Sequence, residues 1–165
     1  MNGVAFDPEG LLRTLNEHGV DYVVIGGVAV IAHGYVRSTA DVDIVPAPGR
    51  ANMERLAGAL EALDALISGV DADLLGIELN AASLAEGANF TLDTRLGPLD
   101  VMQDVPGAPP YAELAARAPR TRLEGVEVKV CGLGDLKAMK EASGREEDRA
   151  DLARLGEIEG LRGQP

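Results

Sequence analysis

Residues 22–45 read YVVIGGVAVIAHGYVRSTADVDIV, and the order of residue types within them decides the fold. A short β-branched run, Asp21 to Ile25, ends in Gly26-Gly27, and Val28 to His33 then has the composition of a brief helix before Gly34. Asp41 to Val45 alternates charged and apolar residues, the mark of a strand with one buried face, and Pro46 with Pro48 closes it. The segment predicts strand, glycine turn, short helix, strand. Asp41 and Asp43 stand two apart on the second strand, so their carboxylates leave the same face.

Two like charges held together are costly unless something compensates them. Magnesium does so: it prefers hard oxygen ligands, takes one or two carboxylates from a protein, and completes its octahedron with water and substrate phosphates. Gly26 and Gly27 suit the same ligand, because without a Cβ their backbone N–H groups can approach a phosphate, and a helix starting near Val28 adds its positive end. The loop suits a triphosphate held through Mg²⁺ or Mn²⁺.

Outward from this segment, Asp7-Pro8 reads as the N-cap and first residue of a helix over about 8–18, with Leu11, Leu12 and Leu15 as its apolar stripe. Met53, Leu56, Leu60, Leu63 and Ile67 predict an amphipathic helix over roughly 50–67. Residues 69–88 show no firm periodicity and read as loop or short helix. Asn89 to Leu96 and Leu99 to Val105 read as strands around Gly97-Pro98, and Thr121 to Val130 as a hairpin broken at Glu124-Gly125. Helices follow at about 133–143 and 146–160. The expected fold is α/β (α+β): a small mixed, partly antiparallel sheet covered by helices. One domain is expected over 1–165, with its core at about 8–131 and a short helical segment at about 133–160.

Composition bounds the function. Of the 165 residues, 46% are hydrophobic but only 3% aromatic, so the core is built from Leu, Val, Ile and Ala. A net charge of -12 argues against broad capture of nucleic acid or anionic membrane. The cations are nevertheless concentrated: residues 117–145 hold seven Lys and Arg (Arg117, Arg120, Arg122, Lys129, Lys137, Lys140, Arg145) against four carboxylates, and could grip a small polyanion. Cys131 is the single cysteine and reads as a strand residue, so no internal disulfide forms and a reducing cytoplasm fits. No signal-peptide pattern and no run of about 20 apolar residues is present, so a soluble cytoplasmic protein is expected, with no membrane partner.

The glycine pair, the thirteen residues from 28 to 40 and the acidic pair Asp41-Val42-Asp43 together resemble the nucleotidyltransferase superfamily related to DNA polymerase beta. Within it, GGVAVIAHGYVRSTADVDI is similar to the branch of AbiEii-type toxins, through His33-Gly34 and Arg37-Ser38-Thr39. LGDLKAMKEASGREEDRADLARL resembles that branch as well, with Lys137, Asp148 and Asp151 as the corresponding residues. The resemblance implies a third carboxylate on a neighbouring strand. Asp100 is the first choice, Asp104 its rival and Asp93 a weaker one.

The candidate catalytic and metal-binding residues are therefore Asp41, Asp43 and Asp100, and the candidate nucleotide-binding residues Gly26, Gly27, Arg37, Thr39 and Lys137. Arg37 suits a phosphate contact or a structural bridge, Thr39 and Ser38 a substrate contact or a local turn, and Lys137 a triphosphate contact or an exposed helix position. His33 is read as structural, and Asp148 with Asp151 as part of a surface or interdomain ion-pair network. The implied activity is metal-dependent transfer of a nucleoside monophosphate from a triphosphate to an RNA or protein hydroxyl, as the toxin of a bacterial toxin–antitoxin pair with an antitoxin partner. The alternatives are a small-molecule (antibiotic) nucleotidyltransferase and an inactive nucleotide- or partner-binding module of the same fold.

Overall fold

The computed structural model describes residues 4–163. Helix α1 spans Pro8–Glu17; Asp7 caps it by accepting from the Gly10 N–H at 2.9 Å, Pro8 opens the first turn, and Leu11, Leu12 and Leu15 are buried. Strand β1, Tyr22–Ile25, is buried throughout and passes straight into α2, Gly26–Ala32. The glycine pair is therefore the first turn of the helix, not a separate turn before Val28. Strand β2 covers Val42–Pro46, one residue later than expected, leaving Asp41 immediately before it.

Helix α3, Arg50–Ala62, stops five residues short of the predicted end. Asp64 adopts φ 52° while the Ala65 N–H bonds to the Leu60 carbonyl at 3.0 Å and the Asp64 N–H to that of Glu61 at 3.1 Å. This pattern is a Schellman stop, and the sequence concealed it because an aspartate occupies the left-handed position usually held by glycine. The chain reverses there, and Leu66–Ile67 pairs as strand β3 instead of extending the helix. Two short helices follow, α4 (Ala72–Leu75) and α5 (Ala81–Ala85), the latter capped reciprocally by Asn80 and Ser83.

Strands β4 (Phe90–Thr94) and β5 (Gly97–Val101) form a hairpin whose loop is Arg95-Leu96, so Gly97-Pro98 begins a strand where a turn was expected. The Thr94 hydroxyl closes this loop, donating to the Gly97 carbonyl at 2.6 Å and accepting from the Leu96 N–H at 3.1 Å. The five-stranded sheet runs β1-β2-β5-β4-β3; β2 and β5 are parallel and the other neighbours antiparallel. It is the mixed, partly antiparallel sheet expected.

Helix α6, Tyr111–Arg117, was not anticipated, although Pro109-Pro110 marks its start and Leu114 its buried side. Strands β6 (Arg120–Leu123) and β7 (Val126–Lys129) turn at Glu124 and Gly125, both with positive φ. The hairpin is tethered to the sheet by a parallel bridge from Val24 to Val130 and by the Cys131 N–H on the Val24 carbonyl at 3.0 Å. Helices α7 (Leu133–Ser143) and α8 (Glu146–Arg162) close the chain around left-handed Gly144. No helix among the described residues is long and apolar enough to cross a membrane.

The two sheet faces differ, which is what exposes the site. Val42, Ile44, Leu92, Leu99 and Val101 are fully buried in the core shared with α1, α3 and α5. Residues directly paired across a sheet share a face. Asp43 is paired with Asp100 and Asp100 with Thr91, so these three line the opposite face in one row.

Candidate active site

The parallel pairing of β2 with β5 puts Asp43 beside Asp100, and Asp41, two residues upstream of Asp43, joins them. Each of the three offers a carboxylate oxygen, all within 4.8 Å of one another. Burial raises the Asp43 carboxyl to about 8; the charges of Asp41 and Asp100 and a hydrogen bond with Asp100 push the same way, and Lys140 opposes them. Asp100 is also raised, first by burial and then by the charge of Asp41, against hydrogen bonds from Asp43 and from the Thr91 hydroxyl. Asp100 Oδ1 is buried and has no hydrogen-bond partner. Converging hard oxygens, one of them unsatisfied, fit a divalent cation, which would replace the proton the cluster otherwise retains.

Neither rival joins this group. Asp104 is exposed beyond the end of β5, with its backbone N–H bonded to Asn89 Oδ1 at 2.9 Å. Asp93 is exposed on β4, one row away and opposite Pro98.

The glycines are explained by the side chains pressed against them. A Cβ on Gly26 would lie 2.0 Å from Asp43 Oδ2, and Gly26 has φ +69°. A Cβ on Gly27 would lie 2.6 Å from Thr39 Oγ1 and 3.2 Å from Arg37 Nη2. Both glycines line a cavity of about 690 Å³ together with the three aspartates, Arg37, Ser38 and Thr39. Thr39 also bonds locally, its hydroxyl donating to the Asp41 carbonyl at 3.3 Å.

The wall facing the carboxylates is cationic and internally braced. Arg37 makes a fork to Asp151, Nε to Oδ1 at 2.9 Å and Nη2 to Oδ2 at 3.0 Å, and its Nη1 lies 3.1 Å from Glu147. Lys140 Nζ sits 3.1 Å from Asp148 and 3.0 Å from Asp151. Arg145 reaches Asp148 Oδ2 through Nε and its backbone N–H, both at 3.1 Å. Burial acts to raise the Asp148 carboxyl, but hydrogen bonds from Ser143, Arg145 and Lys140 outweigh it and hold the group well below the usual range. Asp148 and Asp151 are 0% exposed. The ion-pair network expected at a surface or between domains is thus a buried brace joining α7 and α8 to the Arg37 segment.

Lys137 does not line the cavity: its Nζ bonds Glu159 at 2.9 Å across α7 and α8. Lys140, one of the cations of 117–145 but not among the nucleotide-binding candidates, lines it instead. The signal was available, because Lys140 lies four residues after buried Leu136 and next to buried Met139. The cations of 117–145 also form no single free face. Arg117 pairs with Asp135 at 2.9 Å, Arg120 with Glu127 at 3.4 Å, and Lys137, Lys140 and Arg145 are paired as described.

His33 Nε2 bonds the Cys131 carbonyl at 2.7 Å and holds the end of α2 to the segment after β7. Cys131 itself lies just past that strand, and burial pushes its thiol up to about 12.

No family model matches the chain, and no curated protein matches it. Solved structures do resemble it. The crystal structure of ANT(2″)-Ia in complex with adenylyl-2″-tobramycin superposes with TM-score 0.52 at 15% identity, covering 90% of this chain and 94% of that one. A Thermotoga maritima protein described as a candidate nucleotidyltransferase gives TM-score 0.49 at 14% identity, over 93% of this chain and 87% of that one. The solution structure of ANT(2″)-Ia gives 0.48 at 14% identity, over 93% and 91%. The first of these likenesses shows that the chain shares the fold of ANT(2″)-Ia.

Proposed function

We propose that this chain is a divalent-cation-dependent nucleotidyltransferase, which moves a nucleoside monophosphate from a triphosphate to an acceptor hydroxyl and releases pyrophosphate. The observation that carries this reading is the convergence of Asp41, Asp43 and Asp100, with Asp100 Oδ1 buried and unsatisfied, in a cavity opposite Arg37 and Lys140. Asp41 and Asp43 would hold the cation, Mg²⁺ or Mn²⁺, and Asp100 would share it. When bound, the cation neutralises phosphate charge and lowers the barrier to attack at the α-phosphorus. The protein supplies alignment: Gly26 and Gly27 leave room for the phosphates, while Arg37 and Lys140 provide positive charge held in place by buried Asp148 and Asp151. The acceptor oxygen bonds to the α-phosphorus, the bond to the β-phosphate oxygen breaks, and Asp100 takes the hydroxyl proton.

The acceptor class follows from charge. The net charge of -12 disfavours a long polyanion such as RNA and leaves a protein hydroxyl as the favoured acceptor of a toxin-type enzyme with an antitoxin partner. Likeness to a fold that holds adenylyl-2″-tobramycin supports a small-molecule transferase as the second reading. A reaction that consumes nucleoside triphosphate, with magnesium as its cofactor, fits the cytoplasm.

Purified protein incubated with each α-labelled triphosphate, magnesium or manganese, and a cell lysate tests the reading. Label should pass to protein with release of pyrophosphate, and Asp41→Asn or Asp43→Asn should abolish it. Label in RNA would overturn the acceptor assignment. Metal-dependent triphosphate binding without transfer to anything would overturn the enzyme. Growth arrest on induced expression is the expected result for the toxin reading.

A further inference from the structure

The sheet face that carries Asp43 and Asp100 continues past them uncovered. Thr91 is paired with Asp100 and exposed; Asp93, two residues on, shares its face and is paired with Leu66 of the edge strand β3. Strands lie about 4.8 Å apart, so β3 is about 10 Å from the Asp100 strand. Leu66 is 70% exposed there, and Leu74 and Leu75, which follow Asp73 in α4, are 84% and 62% exposed. A shallow cavity of about 550 Å³ at this edge is lined by Leu66, Val70, Asp71, Asp73 and Asp93 among others.

Charge on this flank is one-sided. The cavity at this edge is lined by three carboxylates, Asp71, Asp73 and Asp93, and by no lysine or arginine. Among the described residues none of these three takes part in an ion pair. Exposed leucines interleaved with unpaired carboxylates are complementary to side chains that alternate between apolar and cationic, the pattern an extended peptide presents with a period of two. A polyanion is repelled here, a second copy of this chain would set carboxylates against carboxylates, and a small molecule would be poorly enclosed on so open a face.

We infer that the β5-β4-β3 face docks an extended, basic polypeptide segment and delivers a hydroxyl side chain of that segment to the aspartate cluster. This specifies the protein acceptor of the nucleotidyl-transfer reading and rests on it. The peptide's cations meet Asp71, Asp73 and Asp93, and its apolar residues meet Leu66, Leu74 and Leu75.

The probes are a fluorescent nine-residue peptide alternating lysine and valine around a central serine, its counterpart with glutamate for lysine, and spermine as a cation without apolar side chains. Anisotropy titrations without nucleotide should show the lysine peptide binding, the glutamate peptide failing to bind, and spermine competing weakly. Asp73→Lys with Asp93→Lys should weaken the lysine peptide about tenfold, and Leu74→Ser with Leu75→Ser should also weaken it, both with unchanged melting. With α-labelled triphosphate and magnesium, label should appear on the central serine.

Equal binding of both peptides, spermine matching the lysine peptide, or indifference to both double variants would overturn the docking surface. So would a wild-type dimer in sedimentation that Leu74→Ser with Leu75→Ser dissociates. Peptide that binds but stays unlabelled while lysate proteins are labelled would overturn delivery of the hydroxyl. If nothing is labelled and no triphosphate binds, the transferase reading fails, and the anisotropy titrations still decide the surface.

Discussion

Asp43→Asn should stabilise the metal-free protein while removing its response to metal. In the free protein the Asp43 carboxyl is buried between two others and raised to about 8 from an ordinary 3.8. An acid raised in this way favours folding while protonated. Its contribution is complete below about 3.8 and is lost as pH rises through about 8. Above that pH the folded protein must hold a charge that burial and its neighbours oppose.

Two estimates size the effect. One carboxylate neighbour at the 4.8 Å limit of the cluster costs about 3 kcal/mol at an effective dielectric of about 20. The displaced titration gives an upper bound of about 6 kcal/mol, at 1.36 kcal/mol per unit. Asparagine keeps the shape without the charge and loses part of the hydrogen bonding. The net gain is about 2–3 kcal/mol, or roughly 4–10 °C in Tm.

Calorimetry at pH 8 to 8.5 with a chelator, then with magnesium, reads both effects. Wild type should gain about 2.7 kcal/mol when magnesium is a hundredfold above its Kd, and the variant should gain nothing. A variant that melts below wild type in chelator, or retains the magnesium shift, would refute the claim that electrostatic strain at Asp43 is held for a cation.

Three further outcomes follow from the geometry. Magnesium affinity should fall about tenfold per pH unit below 8, with release of about one proton per ion, measurable by titration calorimetry in two buffers of different ionisation enthalpy. Gly26→Ala should leave a folded protein about 1–2 kcal/mol less stable from the positive φ, and should weaken metal binding at least tenfold, because the new methyl occupies the space of Asp43 Oδ2; unchanged affinity in a manganese titration would contradict that contact. Lys140→Ala should cost about 3–5 kcal/mol in urea unfolding by stranding Asp148 and Asp151, whereas Lys137→Ala, which removes only an exposed pair, should leave the urea midpoint unchanged.

The sequence by itself determined the local rules: which segments are strands or helices near the site, and that Asp41 and Asp43 share a face. Both follow from periodicity and short-range chemistry. Local signals misled where an unusual residue stood in a familiar position, as with Asp64 ending α3 and Gly97-Pro98 entering a strand. Only the tertiary structure decided what depends on meetings between distant segments. Parallel pairing of β2 with β5 brought Asp100, and neither Asp104 nor Asp93, beside Asp43. The packing of α7 and α8 against the Arg37 segment turned Lys140 inward, Lys137 outward, and Asp148 with Asp151 into a buried brace. Spacing along a chain limits which side chains can share a face, but sheet register and helix docking fix which charges end within ångströms of each other. Those distances decide whether a carboxylate is a solvated surface group or a ligand in waiting.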